Sequence, residues 1–202
     1  MTKQDRSNRQ TERIRKALQQ AFIALLREKT YEAISVGDIA DRADVGRSTF
    51  YRHYETKADL LISLHDGAFG RLTDGLVTAD DWLRDEPPAL LIEFLERAGH
   101  VERLMPYLYT LGKDVDVVTR KLDEVLAAQV EARLRAAFAD VESTVPLPVL
   151  AHAIAGMFRW VIQWWISTRH DEARPNAAQI ARHLHHLARA MVREAFTDFT
   201  NG

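Results

Sequence analysis

From Thr11 to Lys29 the apolar residues Ile14, Leu18, Ala21, Phe22 and Leu25 recur at spacings of three and four, which predicts a helix with one apolar stripe. The period breaks over Thr30 to Ile34, and Ser35 with Asp38 three residues later forms a capping-box start for a short helix, Val36 to Ala43. Asp44, Val45 and Gly46 supply a tight turn, since Asp tolerates a left-handed backbone and Gly adopts it freely. A second short helix is expected over Arg47 to His53. Thr56 and Asp59 repeat the capping pattern ahead of a helix reaching about Thr78, and Pro87-Pro88 suits the first turn of another over Ala89 to Ala98. Pro106 limits Tyr107 to Leu111 to a short helix ended by Gly112. Longer helical patterns follow at Asp114 to Ala139, Val149 to Thr168 and Ala177 to Phe196. No stretch alternates with period two for long enough to predict a strand. The fold class is therefore all-α, with about nine helices.

Composition narrows the function. At 202 residues with 47% hydrophobic and 28% charged residues, the chain has enough apolar material for a core. It contains no cysteine, which removes disulfides, thiolate metal sites and cysteine nucleophiles and suits a cytoplasmic setting. The polar N-terminus lacks the apolar segment of a secretory signal, and the stretch around Ala151 to Thr168 is interrupted by His152, Arg159 and Gln163, so no membrane span is expected. A net charge of −2 argues against a nucleic-acid partner until it is divided along the chain. Residues 1–57 hold 12 Lys and Arg against 8 Asp and Glu, leaving 15 against 21 for the remainder. A basic N-terminal end precedes an acidic body.

Two short helices joined by a three-residue turn, following a longer helix, form a helix-turn-helix. Ile39, Ala40, Ala43, Val45 and Phe50 are placed to pack inward, while Arg47, Ser48, Thr49, Tyr51 and Arg52 point outward, a face rich in hydrogen-bonding groups. The segment Ser35 to Leu61, SVGDIADRADVGRSTFYRHYETKADLL, resembles the DNA-binding motif of the tetracycline-repressor (TetR) family. Asp38-Ile39-Ala40, Val45, Ser48 to Tyr54, Lys57 and Leu60-Leu61 carry the resemblance. Three positions depart from it: Asp44 replaces the usual turn glycine, Gly46 replaces the usual Ser or Thr cap, and Gly37 stands where many relatives carry a basic residue that adds a groove contact.

The resemblance implies a DNA-binding domain over residues 10–70 and a helical ligand-binding and dimerisation domain over residues 71–202. It implies a homodimeric repressor released from a palindromic double-stranded operator by a small-molecule effector. Arg47, Ser48, Thr49 and Tyr51 become groove-facing candidates, and Ser35, Tyr51, His53 and Lys57 phosphate candidates. Trp160 and Trp164, one helical turn apart, together with Leu184, Leu187 and Met191, are the dimerisation candidates. Lys3, Arg6, Arg9 and Arg13 are either a solvated terminus or a DNA-contacting arm. The alternative of another class is an all-α protein-interaction module whose short helices contact protein.

Other constellations point less far. His183 and His186 share a helix face, but no carboxylate at helical spacing completes a ligand set, so no metal or other cofactor is expected. Trp82, Phe94, Tyr107, Tyr109, Phe158 and Trp165 suit core packing before ligand contact. No nucleophile signature marks an enzyme.

Overall fold

A computed structural model describes residues 3–100, 110–168 and 170–196, with the side chains of 3–7 and 100 left aside. Among the described residues, α-helix is the main regular structure and no strand occurs. The order is α1 (Lys3–Glu28), α2 (Val36–Arg42), α3 (Arg47–His53), α4 (Lys57–Thr73), α5 (Ala79–Leu83), α6 (Ala89–His100), α7 (Val115–Ala137), α8 (Leu147–Ser167) and α9 (Ala177–Ala195). A 3-10 turn, Gly112–Asp114, precedes α7. Tyr107, Tyr109 and the side chains of Lys3 and Arg6 lie outside the described residues.

Four helix starts share one chemical device. Ser35 with Asp38, Thr56 with Asp59, Thr78 with Asp81 and Asn176 with Gln179 each exchange side-chain and backbone hydrogen bonds across three residues, satisfying N–H groups that a helix start leaves without partners. The pair at Thr78 corrects the expectation of a single helix reaching that residue. α4 stops at Thr73, and a separate α5 starts at Ala79. Apolar spacing runs through this break, which is marked by the Asp74-Gly75 turn and by the Thr78 cap.

The chain divides into two compact units: Met1–His65 with Arg103–Thr119, and Asp66–Glu102 with Arg120–Gly202. In the first, Leu18, Phe22 and Leu25 of α1 are buried together with Tyr31, Ile34, Ile39, Ala40, Phe50, Leu60 and Leu61. In the second, α9 packs against α5, α6 and α8. Its buried face, Ile180, Ala181, Leu184, His185, Ala188 and Val192, keeps the three-to-four spacing of an amphipathic helix. α8 differs. It buries Leu150, Ile154, Phe158, Ile162 and Trp165 on one side, yet exposes Val149, Trp160 and Trp164 on another.

Candidate nucleic-acid interface

The α2–α3 pair is built around Ile39, Ala40 and Phe50, all fully buried, with Ala43 and Val45 half-buried at the turn. Small Ala40 lets the two short helices cross closely, and Phe50 meets Tyr54 at 5.9 Å and the edge of Tyr51 at 5.5 Å between ring centres. The turn depends on Asp44, the only non-glycine with positive φ (53°) among the described residues. Gly46 caps α3 with backbone alone.

This packing turns Arg47, Ser48, Tyr51 and Arg52 to solvent, with Thr49 half-buried. Tyr51 remains 57% exposed although its ring rests on Phe50, so its hydroxyl projects from a supported base. Among the described residues, no hydrogen bond or ion pair occupies the Arg47 guanidinium. The surface therefore offers a cation, hydroxyls and a phenol on one short helix, the donor and acceptor types that read base edges and phosphates.

The remaining sequence-derived candidates have more constrained surroundings. Ser35 Oγ accepts from Asp38 N at 3.1 Å and donates to Asp38 Oδ2 at 2.9 Å, so its first task is capping. His53 is half-buried. Burial, with Arg15 and Arg52 nearby, lowers its pKa, which keeps the imidazole neutral at pH 7 and leaves it a hydrogen-bonding group rather than a cation. Lys57 is not a free cation. Its ammonium donates to the carbonyls of Tyr31 and Ile34, both at 2.8 Å, and of Glu32 at 3.4 Å, and sits 4.2 Å from the centre of the Tyr31 ring. Burial lowers the Lys57 pKa, opposed by Asp114 and Glu32.

The Lys57 clamp belongs to a larger arrangement that sequence reasoning missed. The Tyr31 hydroxyl donates to Asp114 Oδ2 at 2.8 Å, and its backbone N–H donates to Thr110 Oγ1 at 3.1 Å. Burial and the Asp114 carboxylate raise the Tyr31 pKa, so the phenol stays protonated and acts as donor. Gly112, at φ 53°, leaves no room for a Cβ beside the Glu32 carboxylate. These partners lie about 80 residues apart in sequence, beyond the reach of helical periodicity.

Residues 20–64 match the family of bacterial regulatory proteins, tetR family. The chain carries a tetR-family regulatory head. Over 66 residues, 33% of this chain and 30% of the relative, it is 39% identical to the HTH-type transcriptional repressor KstR of Mycobacterium tuberculosis. It is 27% identical over 172 residues to KstR of Rhodococcus jostii, covering 81% of this chain and 77% of that protein. An alignment to the HTH-type transcriptional regulator YxbF of Bacillus subtilis is 29% identical and covers 53% of this chain, but only 32% of that longer relative. Two solved structures share the fold across the tetR-type head and the body. The TetR family repressor AlkX from Dietzia superposes with a TM-score of 0.60 at 17% identity, covering 89% of this chain and 98% of AlkX. Thermus thermophilus FadR, a TetR-family transcriptional repressor solved with lauroyl-CoA, gives 0.55 at 20% identity, covering 91% of this chain and 94% of FadR.

The dimerisation candidates separate into two groups. Trp160 and Trp164 are 58% and 51% exposed and Leu187 is 45% exposed, while Met191 is half-buried. Leu184 is 0% exposed within its own chain, so it is a core residue and not part of a surface. The reason is register: one step along α9 separates the side facing its neighbours from the side facing solvent. His183 and His186 are exposed, and among the described residues no group of three His, Asp or Glu could hold a metal ion. His185 is buried and faces Arg84 O at 2.9 Å. Trp82 and Phe158 are buried, Phe94 is half-buried, and the indole N–H of Trp165 donates to Pro175 O at 2.7 Å. Among the described residues, no helix is long and apolar enough to cross a membrane.

Proposed function

We propose that this protein is a homodimeric transcriptional repressor of the cytoplasm that reads a palindromic operator and is released from it by a small-molecule effector. The observation that carries this reading is the outward face of α3, where Arg47, Ser48, Thr49 and Tyr51 stand on a buried Phe50 in a head of the tetR type. Two such heads related by two-fold symmetry would enter successive major grooves about 34–36 Å apart. Arg47 then addresses guanine, Ser48 and Thr49 serve donor or acceptor edges, and the hydroxyl of Tyr51 and the ring of His53 hold phosphates. Lys57 supports the head from within, through the carbonyls it already holds.

The exposed apolar side of α8, with Leu187 of α9, supports a second copy of this chain as its cover. A lone surface tryptophan needs no explanation, but two exposed tryptophans one turn apart on the outer side of α8 favour an interface. The effector is proposed from relatives that are repressors and from FadR, which binds lauroyl-CoA. An effector would act by favouring one separation of the two heads over another, in proportion to its difference in affinity for the two.

Gel-shift and anisotropy measurements with DNA from upstream of the protein's own gene test the reading. Sequence-specific binding that weakens with salt and falls at least tenfold in Tyr51→Ala is the expected result. Absence of specific binding at every salt concentration would leave the protein-interaction alternative standing.

A further inference from the structure

We propose that Gly37 is a positioning residue for base recognition: by lacking a side chain it provides the seat on which the Arg47 guanidinium rests. Gly37 is the second residue of α2 and is buried. Its φ is not positive, so the backbone there does not require glycine. Glycine also weakens a helix relative to alanine, which leaves a packing reason for its presence. That reason is Arg47. A Cβ added at Gly37 would lie 2.6 Å from Arg47 Nη2, 3.1 Å from Cζ and 3.2 Å from Nε. The guanidinium occupies the space that any other residue at position 37 would fill.

Arg47 opens α3, and among the described residues no carboxylate or carbonyl engages its fork. Nη2, Cζ and Nε lie nearest the open space at Gly37, and none of the fork's donors has a partner among the described residues. An arginine carries many rotamers, and recognition of guanine O6 and N7 needs both fork donors in one plane at one distance. Resting on Gly37 restricts where the fork can point before DNA arrives, and so lowers the ordering cost at the moment of reading. A side chain at 37 would displace only the far end of a flexible side chain. Its effect therefore falls on the direction of Arg47 and not on folding.

This inference rests on the assignment of the head as a DNA reader, and the experiment separates the two. The full-length protein is used to select duplexes from a random-sequence library, and single-base variants of the selected duplex are then titrated against the natural protein, Gly37→Ala, Gly37→Ser, Arg47→Ala and the Gly37→Ala/Arg47→Ala pair. Arg47→Ala should reduce discrimination at one position of each half-site by about tenfold. Gly37→Ala and Gly37→Ser should lose most of the discrimination at that same position, and the pair should be no worse than Arg47→Ala alone. The thermal midpoint of Gly37→Ala should be equal to or above that of the natural protein, which a merely structural role would not give. Full discrimination in both Gly37 variants, or a loss that adds to that of Arg47→Ala, overturns the seat while leaving the DNA reading intact. If the natural protein selects no duplex, the reading itself fails and the seat with it.

Discussion

Lys57 shows how far a side chain's chemistry depends on its neighbours. As a residue type at the start of α4 it suits a phosphate, but its ammonium sits on the carbonyls of Tyr31, Glu32 and Ile34 and against the Tyr31 ring. Replacing it should therefore act on stability before it acts on DNA. Lys57→Ala is expected to lower the unfolding free energy by about 1–2 kcal/mol, the net worth of charge-assisted hydrogen bonds that leave carbonyls unpaired when lost. Urea unfolding of the full chain checks this. Unchanged stability with reduced DNA affinity would instead return Lys57 to the role of phosphate ligand. Leu184 teaches the same lesson for an apolar residue, since its place in an apolar stripe does not say whether the stripe meets its own chain or another.

At the scale of elements, the Ser35–Asp38 and Thr56–Asp59 caps were legible residue by residue, whereas the Thr78–Asp81 and Asn176–Gln179 boxes, and with the first of them the break between α4 and α5, emerged only in the structure. The Asp38 carboxylate at the start of α2 accepts from the backbone and hydroxyl of Ser35 and pairs with Lys29 at 3.3 Å, which lowers its pKa to about 2. A carboxyl with a folded pKa below its unfolded value of 3.8 supports the fold above that value and loses its contribution as pH falls toward 2. Asp38→Asn should thus lower the thermal midpoint at pH 6, and the gap to the natural protein should close as pH approaches 2. Scanning calorimetry across that range measures it. A constant gap would show that the charge of Asp38 is irrelevant to the cap. The α2–α3 turn offers a second test. Asp44 at φ 53° tolerates the left-handed region, but a β-branched residue does not, so Asp44→Val should cost about 1–2 kcal/mol in urea unfolding while Asp44→Gly costs nothing.

For the whole molecule, the apolar side of α8 and the buried side of α9 predict opposite outcomes. Trp160→Glu or Trp164→Glu places charge on the proposed seam and should give a folded monomer by light scattering. Leu184→Ala should leave assembly unchanged while lowering unfolding free energy by about 2–5 kcal/mol, the cost of truncating a fully buried leucine. A dimeric tryptophan variant would move the interface elsewhere on the chain. The charge division between the basic N-terminal end and the acidic remainder belongs to this scale too, because attraction to DNA depends on where charge sits rather than on a net −2.

The longer helices, the Ser35 and Thr56 caps and the outward chemistry of Arg47 to Tyr51 were determined by the sequence, because periodicity and caps act over three or four residues. Tertiary structure decided what joins residues far apart. It placed Asp114 and Thr110 on Tyr31, occupied Lys57, put the Arg47 guanidinium in the space Gly37 leaves open, and assigned Leu184 to the core and Trp160 to the surface. A linear pattern can say that a helix has an apolar side. Which partner covers that side is settled by packing, where volume, burial and hydrogen bonding are shared among residues that the pattern treats as unrelated.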